Sequence, residues 1–551
     1  MVDCERVRDK HAGSIGALRQ CLPFAHNPEQ VPLNTLLPAG VLRLFAWVSS
    51  GTIVGIDGVI VRVEVDVAGG LPGLEIVGLA DTSVREARHR VRSALHNSGS
   101  TTPPRRITVN LAPASLHKEG SQMDLGIAAG ILAASGQVPA GPRLSDYCLL
   151  GELALDGSVR PVRGVLAMVL ATAEAGLRGA IVPPGNQNEI AFLTGLDLRV
   201  AGTLADLTRF LGGAIDLPVV QEDGDAEESR ASGAVDLADI RGQGAAKRAM
   251  EVACSGGHNV LMCGPPGAGK SMLAKCMPGI LPRLTREESL IVTRIQSIAG
   301  ILSEGQGLVT TRPFRAPHHT ATASALIGGG ASPRPGEVTL AHRGVLFLDE
   351  LPLFPPSILN ALRQPLEDGE TVVSRSRATY RFPSRFLLAG AMNPCMCGWF
   401  GDDQKQCTCT EYSRKQYSSR ISGPFRDRMD LFVEIARVAA ADLLGQSAES
   451  SAVVRERVRY ARERQVRRLG PSGMTCNAEM GPAEVTALLS VSSAGRKLLL
   501  DAFKSLGLSA RAYYRIQKVA ATIADLADSP RVEEEHIAEA LSYRQRFAGE
   551  E

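Results

Sequence analysis

Eight consecutive residues, Gly264-Pro265-Pro266-Gly267-Ala268-Gly269-Lys270-Ser271, set three glycines, two prolines and an alanine ahead of a lysine and a hydroxyl. An apolar run, "NVLM", precedes them and a helix-like stretch, "SMLAKCMPGI", follows. This is the GxxxxGK[ST] phosphate loop in its strand–loop–helix setting. Small residues let backbone N–H groups curl around phosphates at a helix N-terminus. Lys270 adds a point charge there, and the Ser271 hydroxyl can ligate Mg²⁺. The pattern implies ATP as ligand and Mg²⁺ as its cofactor. Downstream, the apolar strand "GVLFLDE" ends in Asp349-Glu350. Carboxylates at the end of a buried parallel strand stand where open α/β sheets bind ligands. Asp349 is expected to hold Mg²⁺ and Glu350 to polarise an attacking water, which makes the chemistry hydrolysis. A third apolar strand, "RFLLAGAMN", closes on Asn393, whose amide can orient the same water; Asn-Pro as a plain strand stop is the other reading.

Two residues past Asn393 begins a different constellation: Cys395, Cys397, Cys407 and Cys409, two C-x-C pairs nine residues apart. Four thiolates suit tetrahedral, structural Zn²⁺, and leave no open position for catalysis. C-x-C is tighter than the usual C-x₂-C. Reduced thiols on an unmetallated loop are the alternative. A redox switch ranks third, because no basic residue flanks the first pair to lower its pKa.

The chain has 551 residues, enough for roughly two to four domains. Its net charge of +2 and hydrophobic content of 44% describe an ordinary globular protein, so any nucleic-acid surface must be local. No apolar run reaches the ~18 residues needed to span a bilayer; Val41 to Ile60 is broken by Arg43, Ser49, Ser50, Gly51 and Asp57. No membrane partner and a cytoplasmic location are expected, and there disulfides are rare.

Residues 1–44 show no sustained periodicity and read as a disordered extension or an upstream translated stretch. Residues 45–213 alternate strands and helices: "GVIVRVEVDVAGG", "SVREARHRVRSALHNSG", "RITVNLAP", "MDLGIAAGILAASG", a hairpin around Asp156-Gly157, and "GAIVPPGN". Residues 214–234, with "QEDGDAEESRASG", have a linker's composition. Residues 235–438 carry the strand–loop–helix units, with an insertion at 395–409, and 439–551 are mostly helical. The fold class is α/β.

Within this frame "DIRGQGAAKRAMEVACSGGHNVLMCGPPGAGKSMLA", "FRAPHHTATASALIGGG", "RPGEVTLAHRGVLFLDELPLF" and "SGPFRDRMDLFVEI" resemble the magnesium-chelatase-like AAA+ ATPases, in their YifB/ComM branch. The resemblance implies a Lon-protease-like first domain, a central P-loop AAA+ domain and a C-terminal helical lid. It implies a hexameric ring that uses ATP for branch migration on DNA during natural transformation; related chelatase subunits instead remodel a protein partner so that Mg²⁺ enters a porphyrin. Asn393 then corresponds to sensor 1, Arg428 in "DRMDL" to the arginine finger with Arg420 in "SSRISGP" as second candidate, and Arg511 in "LSARAYYR" to sensor 2. A finger acting in trans can be worth ~10³–10⁵ in rate and requires an oligomer. The first domain departs from Lon proteases. The turn expected to hold their serine reads "EGSQMDLG", and the helix expected to hold their lysine, "GVLAMVLATA", has none. Ser121 would lack its base, so a non-proteolytic scaffold or DNA-facing collar is expected.

"GETVVSRSRATYRF" reads as a β-hairpin, with Val373, Arg375, Arg377, Thr379 and Arg381 on one face in the absence of a bulge. Arg375 and Arg377 would neutralise DNA phosphates without sequence preference; an exposed, solvated hairpin explains them equally. His318 and His319, adjacent on an extended chain, are expected to point to opposite faces and to have a structural or coupling role.

Overall fold

The computed structural model describes residues 45–221, 235–303, 305–330, 333–375, 379–402, 404–438 and 449–544. The expected extension (1–44), most of the expected linker (222–234) and Arg377 lie outside the described residues. The first domain is built on a seven-stranded mixed sheet. Its long strand Asp57–Ala68 sends Val61, Val63, Val65 and Val67 to one buried face while Arg62 and Asp66 meet solvent. That alternation is what the period-two pattern demands. Phe45–Val54 and Arg106–Ala112 flank it antiparallel. Tyr147–Leu149, Gly179–Val182 and Asp197–Val200 continue the sheet in parallel. Helix Asp124–Ala134, apolar after its first residue, is buried along its whole length, and the buried Asp124 pairs with Arg90 at 2.6 Å.

The domain runs past its expected end. Val200 N–H donates to Pro218 O and Val220 N–H to Leu198 O, both at 2.9 Å, and Leu217 and Val220 are buried. Residues 214–221, read as linker from their small and acidic neighbours, thus add an edge to the sheet; two apolar side chains were enough to dock it.

The second sheet has five strands, all parallel, in the order Phe314–Arg315, Val345–Leu348, Leu387–Met392, Val260–Cys263, Leu431–Glu434. Val345–Leu348 and Leu387–Met392 are buried throughout, the reason they read as continuous apolar runs. The carboxyl ends of three neighbouring strands consequently deliver the phosphate loop, Asp349 and Asn393 to one edge.

Helices Ser451–Leu469, Pro482–Leu488, Ser493–Ser505, Ala510–Leu526 and Glu534–Ser542 form the C-terminal helical region. Ser451–Leu469 and Ala510–Leu526 pack on Gly244–Gly256. Arg515 clamps the region to the amino-terminal edge of the five-stranded sheet, 3.1 Å from Asp430 and donating to Met429 O at 3.0 Å. The two sheets are joined through helix Arg286–Ala299. Ile56 of the first domain packs with Ile295, Leu340, Val373 and Phe382, and Asp57 pairs with Arg294 at 3.2 Å.

The hairpin forms, but its faces differ from the expected ones. Strands Glu370–Ser374 and Thr379–Pro383 pair Val373 with Tyr380 and Val372 with Arg381. Residues directly opposite share a face, so Val373 belongs with Tyr380 and Phe382 on the buried side and Arg381 lies on the other. The turn interrupts the alternation that a single run of residues would have kept. Among the described residues no helix is long and apolar enough to cross a membrane.

Candidate functional site

Lys270 opens helix Lys270–Ile280 directly behind Gly269, whose φ of +91° suits glycine. The ammonium is buried. It donates to Gly264 O at 2.6 Å, to Pro265 O at 3.0 Å and to the Asn393 side-chain oxygen at 3.0 Å. Burial lowers its pKa. Ser271 donates to Asp349 at 2.7 Å. The loop, the two strand ends and the lysine therefore form one connected cradle. A hydroxyl and a carboxylate facing each other beside buried ammonium fit a Mg²⁺–triphosphate: they offer oxygen ligands for the metal and donors for the phosphates.

Glu350 adopts φ +50°, the left-handed region that non-glycine residues rarely occupy and that is met at functional sites. Its carboxylate is half exposed and lies 3.5 Å from His319 Nδ1. His318 and His319 do not diverge. Their rings lie 4.1 Å apart, because the chain turns at His319 rather than continuing extended.

The four cysteines converge. Cys395 Sγ lies 3.3 Å from Cys397 and 3.6 Å from Cys407, Cys397 lies 3.6 Å from Cys407, and all four sulfurs fall within 4.8 Å of one another. A tetrahedron with 2.3 Å Zn–S bonds has edges of about 3.8 Å, so the donor set fits zinc. Aromatic residues brace it: Lys405 and Arg437 sit over Trp399 at 4.4 and 4.7 Å, and Arg414 over Phe400 at 4.4 Å. One contact was invisible in the sequence. At Gly398, φ +86°, a Cβ would fall 2.7 Å from Pro266. The knuckle therefore rests on the phosphate loop. Buried Tyr417, just beyond it, hydrogen-bonds the Asn393 backbone.

The arginines occupy the opposite edge. Arg428, nearly buried, pairs with Glu367, and Arg511 reaches the same carboxylate at 3.2 Å. Burial and the neighbouring guanidinium groups of Arg511, Arg363 and Arg515 push the Arg428 pKa down to about 10. Arg428 and Arg511 line a cleft of about 1490 Å³ together with Arg283, Arg312, Arg385 and Arg515. This cleft opens at the amino-terminal ends of the strands, away from Lys270. Arg420 is exposed just past helix Glu411–Ser418. Glu367 carried no sequence signal. Arg375 is exposed at the hairpin turn.

In the first domain Ser121 donates to Glu152, and helix Val165–Glu174 offers no lysine. Lys118, absent from the sequence reading, is wholly buried and donates to the Gly78 and Pro113 carbonyls.

A parallel sheet with a phosphate loop, a strand-end acidic pair and a helical C-terminal region defines an AAA+-type P-loop ATPase. Family models described as magnesium chelatase, subunit ChlI, match residues 236–443 and 63–186, and one for the ChlI C-terminal region matches 448–544. The chain is 43% identical to competence protein ComM of Haemophilus influenzae over 91% of its length and 97% of that protein's. It is likewise 43% identical to the uncharacterised YifB of Escherichia coli, over 89% of this chain and 95% of YifB. The magnesium-chelatase 38 kDa subunit of Cereibacter sphaeroides is 29% identical over 28% of this chain and 51% of the subunit. The protein belongs to the magnesium-chelatase-like ComM/YifB family.

Proposed function

We propose that the chain assembles into a ring, hexameric by its resemblance, that hydrolyses ATP to move on DNA and drive branch migration as incoming DNA recombines. The cradle of Lys270, Asn393, Ser271 and Asp349 carries this reading. Phosphates draw Lys270 away from the Gly264 and Pro265 carbonyls and free the Asn393 amide to orient water. The backbone from Pro265 to Gly269 wraps the phosphates. Ser271 and Asp349 hold Mg²⁺, which neutralises phosphate charge when bound. Glu350 takes a proton from water as its oxygen bonds the γ-phosphorus; the bond to the ADP oxygen breaks, and ADP and phosphate leave.

Arg428 and Arg511 stand at the edge away from their own phosphate loop. That placement favours action across a seam, Arg428 as finger and Arg511 as sensor on a neighbour's nucleotide, with Arg420 as second candidate. The cysteines hold a structural Zn²⁺ that stiffens the knuckle over Pro266. The first domain is a Lon-like scaffold without protease chemistry, since Ser121 faces a carboxylate rather than an amine. Arg375 and Arg377 bind DNA phosphates without reading bases, in a cytoplasmic setting. A second reading, remodelling of a protein partner, draws support from the chelatase-subunit models that match the chain.

Labelled forked or four-way DNA with ATP separates the two. Strand separation by the wild type and none by Lys270→Ala is expected. ATP turnover indifferent to DNA, with no strands separated, transfers the function to the protein partner.

A further inference from the structure

We propose that Asn259 is the positioning residue for Arg428, tying the turn that carries it to the strands that carry the nucleotide cradle. The proposal rests on Arg428 serving a neighbour's nucleotide.

Asn259 stands immediately before strand Val260–Cys263, whose other end runs into the phosphate loop. That strand lies between Leu387–Met392, which ends at Asn393, and Leu431–Glu434, which follows the Arg428 turn. Val260 is opposite Ala389 on one side and Leu431 on the other, so Asn259 sits among the starts of these strands. Its side-chain oxygen accepts the Leu388 N–H at 2.9 Å, and its side-chain nitrogen donates to Arg428 O at 2.9 Å. A side-chain amide serves both partners at once, because one donates and the other accepts. The backbone of Asn259 grips the same turn. Its N–H donates to the Asp430 carboxylate at 3.0 Å, and its carbonyl accepts the Asp430 and Leu431 N–H groups at 2.9 and 3.0 Å.

Arg428 is placed from its backbone. Its guanidinium rests on Glu367 of the same chain and donates to Pro424 O at 3.2 Å. Serving a neighbour requires the guanidinium to leave Glu367, so the side chain turns about a Cα that must stay in place. Phe425 O holds the Arg428 N–H at 2.9 Å, and Asn259 holds the carbonyl. Arg515 of the helical region fixes the next residues through Met429 O and the Asp430 carboxylate. Of these contacts, that of Asn259 leads to the cradle. It lies at the amino ends of the two strands whose carboxyl ends deliver the phosphate loop and Asn393. The charge a chain keeps for its own nucleotide and the charge it offers a neighbour are thus held on one pair of strands. A misplacement of about 1 Å can cost about a hundredfold in rate.

Two substitutions test this. Asn259→Asp keeps the acceptor for Leu388 but loses the donor for Arg428, and Asn259→Ala loses both without adding charge. Each is expected to lower kcat about tenfold, with KM for ATP and the binding of a fluorescent ATP analogue unchanged, because its own cradle is intact. A residue that merely anchors the strand start would disturb the phosphate loop and raise KM. Subunit mixing then locates the defect. Mixed in equal amounts with Lys270→Ala, which keeps a sound arginine, either variant should recover about a quarter of wild-type turnover. Mixed with Arg428→Ala it should stay near about 5%, since no seam gains a sound arginine. Wild-type kcat in Asn259→Ala, or a raised KM, overturns the assignment. So does a lack of recovery with Lys270→Ala while the control pair, Lys270→Ala with Arg428→Ala, recovers. Failure of that control pair instead overturns the seam on which the proposal stands.

Discussion

Several side chains in this molecule are held in protonation states that the unfolded chain would not keep. His342 is the clearest. Burial, aided by Arg343, Arg385 and Arg312, pushes its pKa down to about 3 from 6.5, and its Nδ1 accepts the Arg385 N–H at 3.1 Å. Between those pKa values the unfolded chain binds the extra proton, so stability falls as pH drops through the window, by up to about 1.4 kcal/mol per pH unit. Glu189 acts with the opposite sign. Burial raises it to about 7 from 4.5, so the folded state binds the extra proton and gains stability as pH falls through that range. Thermal midpoints from pH 7.5 to 4.5 should therefore fall less steeply for His342→Asn than for wild type, and more steeply for Glu189→Gln. Parallel slopes for all three would contradict these assignments.

Among the elements, the cysteine knuckle has the most to answer for. Nothing in C-x-C spacing says what the loop touches, yet Gly398 abuts Pro266. Adding a Cβ there meets both a steric clash and a positive φ, each costing about 1–3 kcal/mol. Gly398→Ala should raise the KM for ATP while the protein keeps its metal. Cys407→Ser with Cys409→Ser should lose about one zinc per chain, the stoichiometry of a Cys₄ site, and show the same rise in KM. Metal analysis beside ATP titration checks both. A metal-free knuckle in folded wild type would refute the zinc.

For the whole molecule, the question is where nucleotide is cleaved. The phosphate loop and the paired arginines Arg428 and Arg511 lie at opposite edges of one sheet, so no single chain completes the charge complement proposed for the transition state. Lys270→Ala and Arg428→Ala should each be inactive alone. Mixed in equal amounts and allowed to exchange subunits, they should recover about a quarter of wild-type ATP turnover, the fraction of head-to-tail seams in a ring that combine an intact loop with an intact arginine. No recovery, or full activity of dilute monomer, would place cleavage within one chain.

Local order alone sufficed for the phosphate loop, the Asp349 and Asn393 strand ends, the cysteine cluster and most strands of both sheets. Each is a short run whose backbone geometry or side-chain period is set by near neighbours. What tertiary structure decided were contacts between chain segments far apart: Gly398 on Pro266, His319 at Glu350, Arg428 and Arg511 on Glu367, and the docking of Leu217 and Val220. The hairpin's true faces belong here too, because register across a turn depends on where the chain reverses. Periodicity records which side of an element is apolar, but carries no coordinate for the partner that covers it; only packing supplies that.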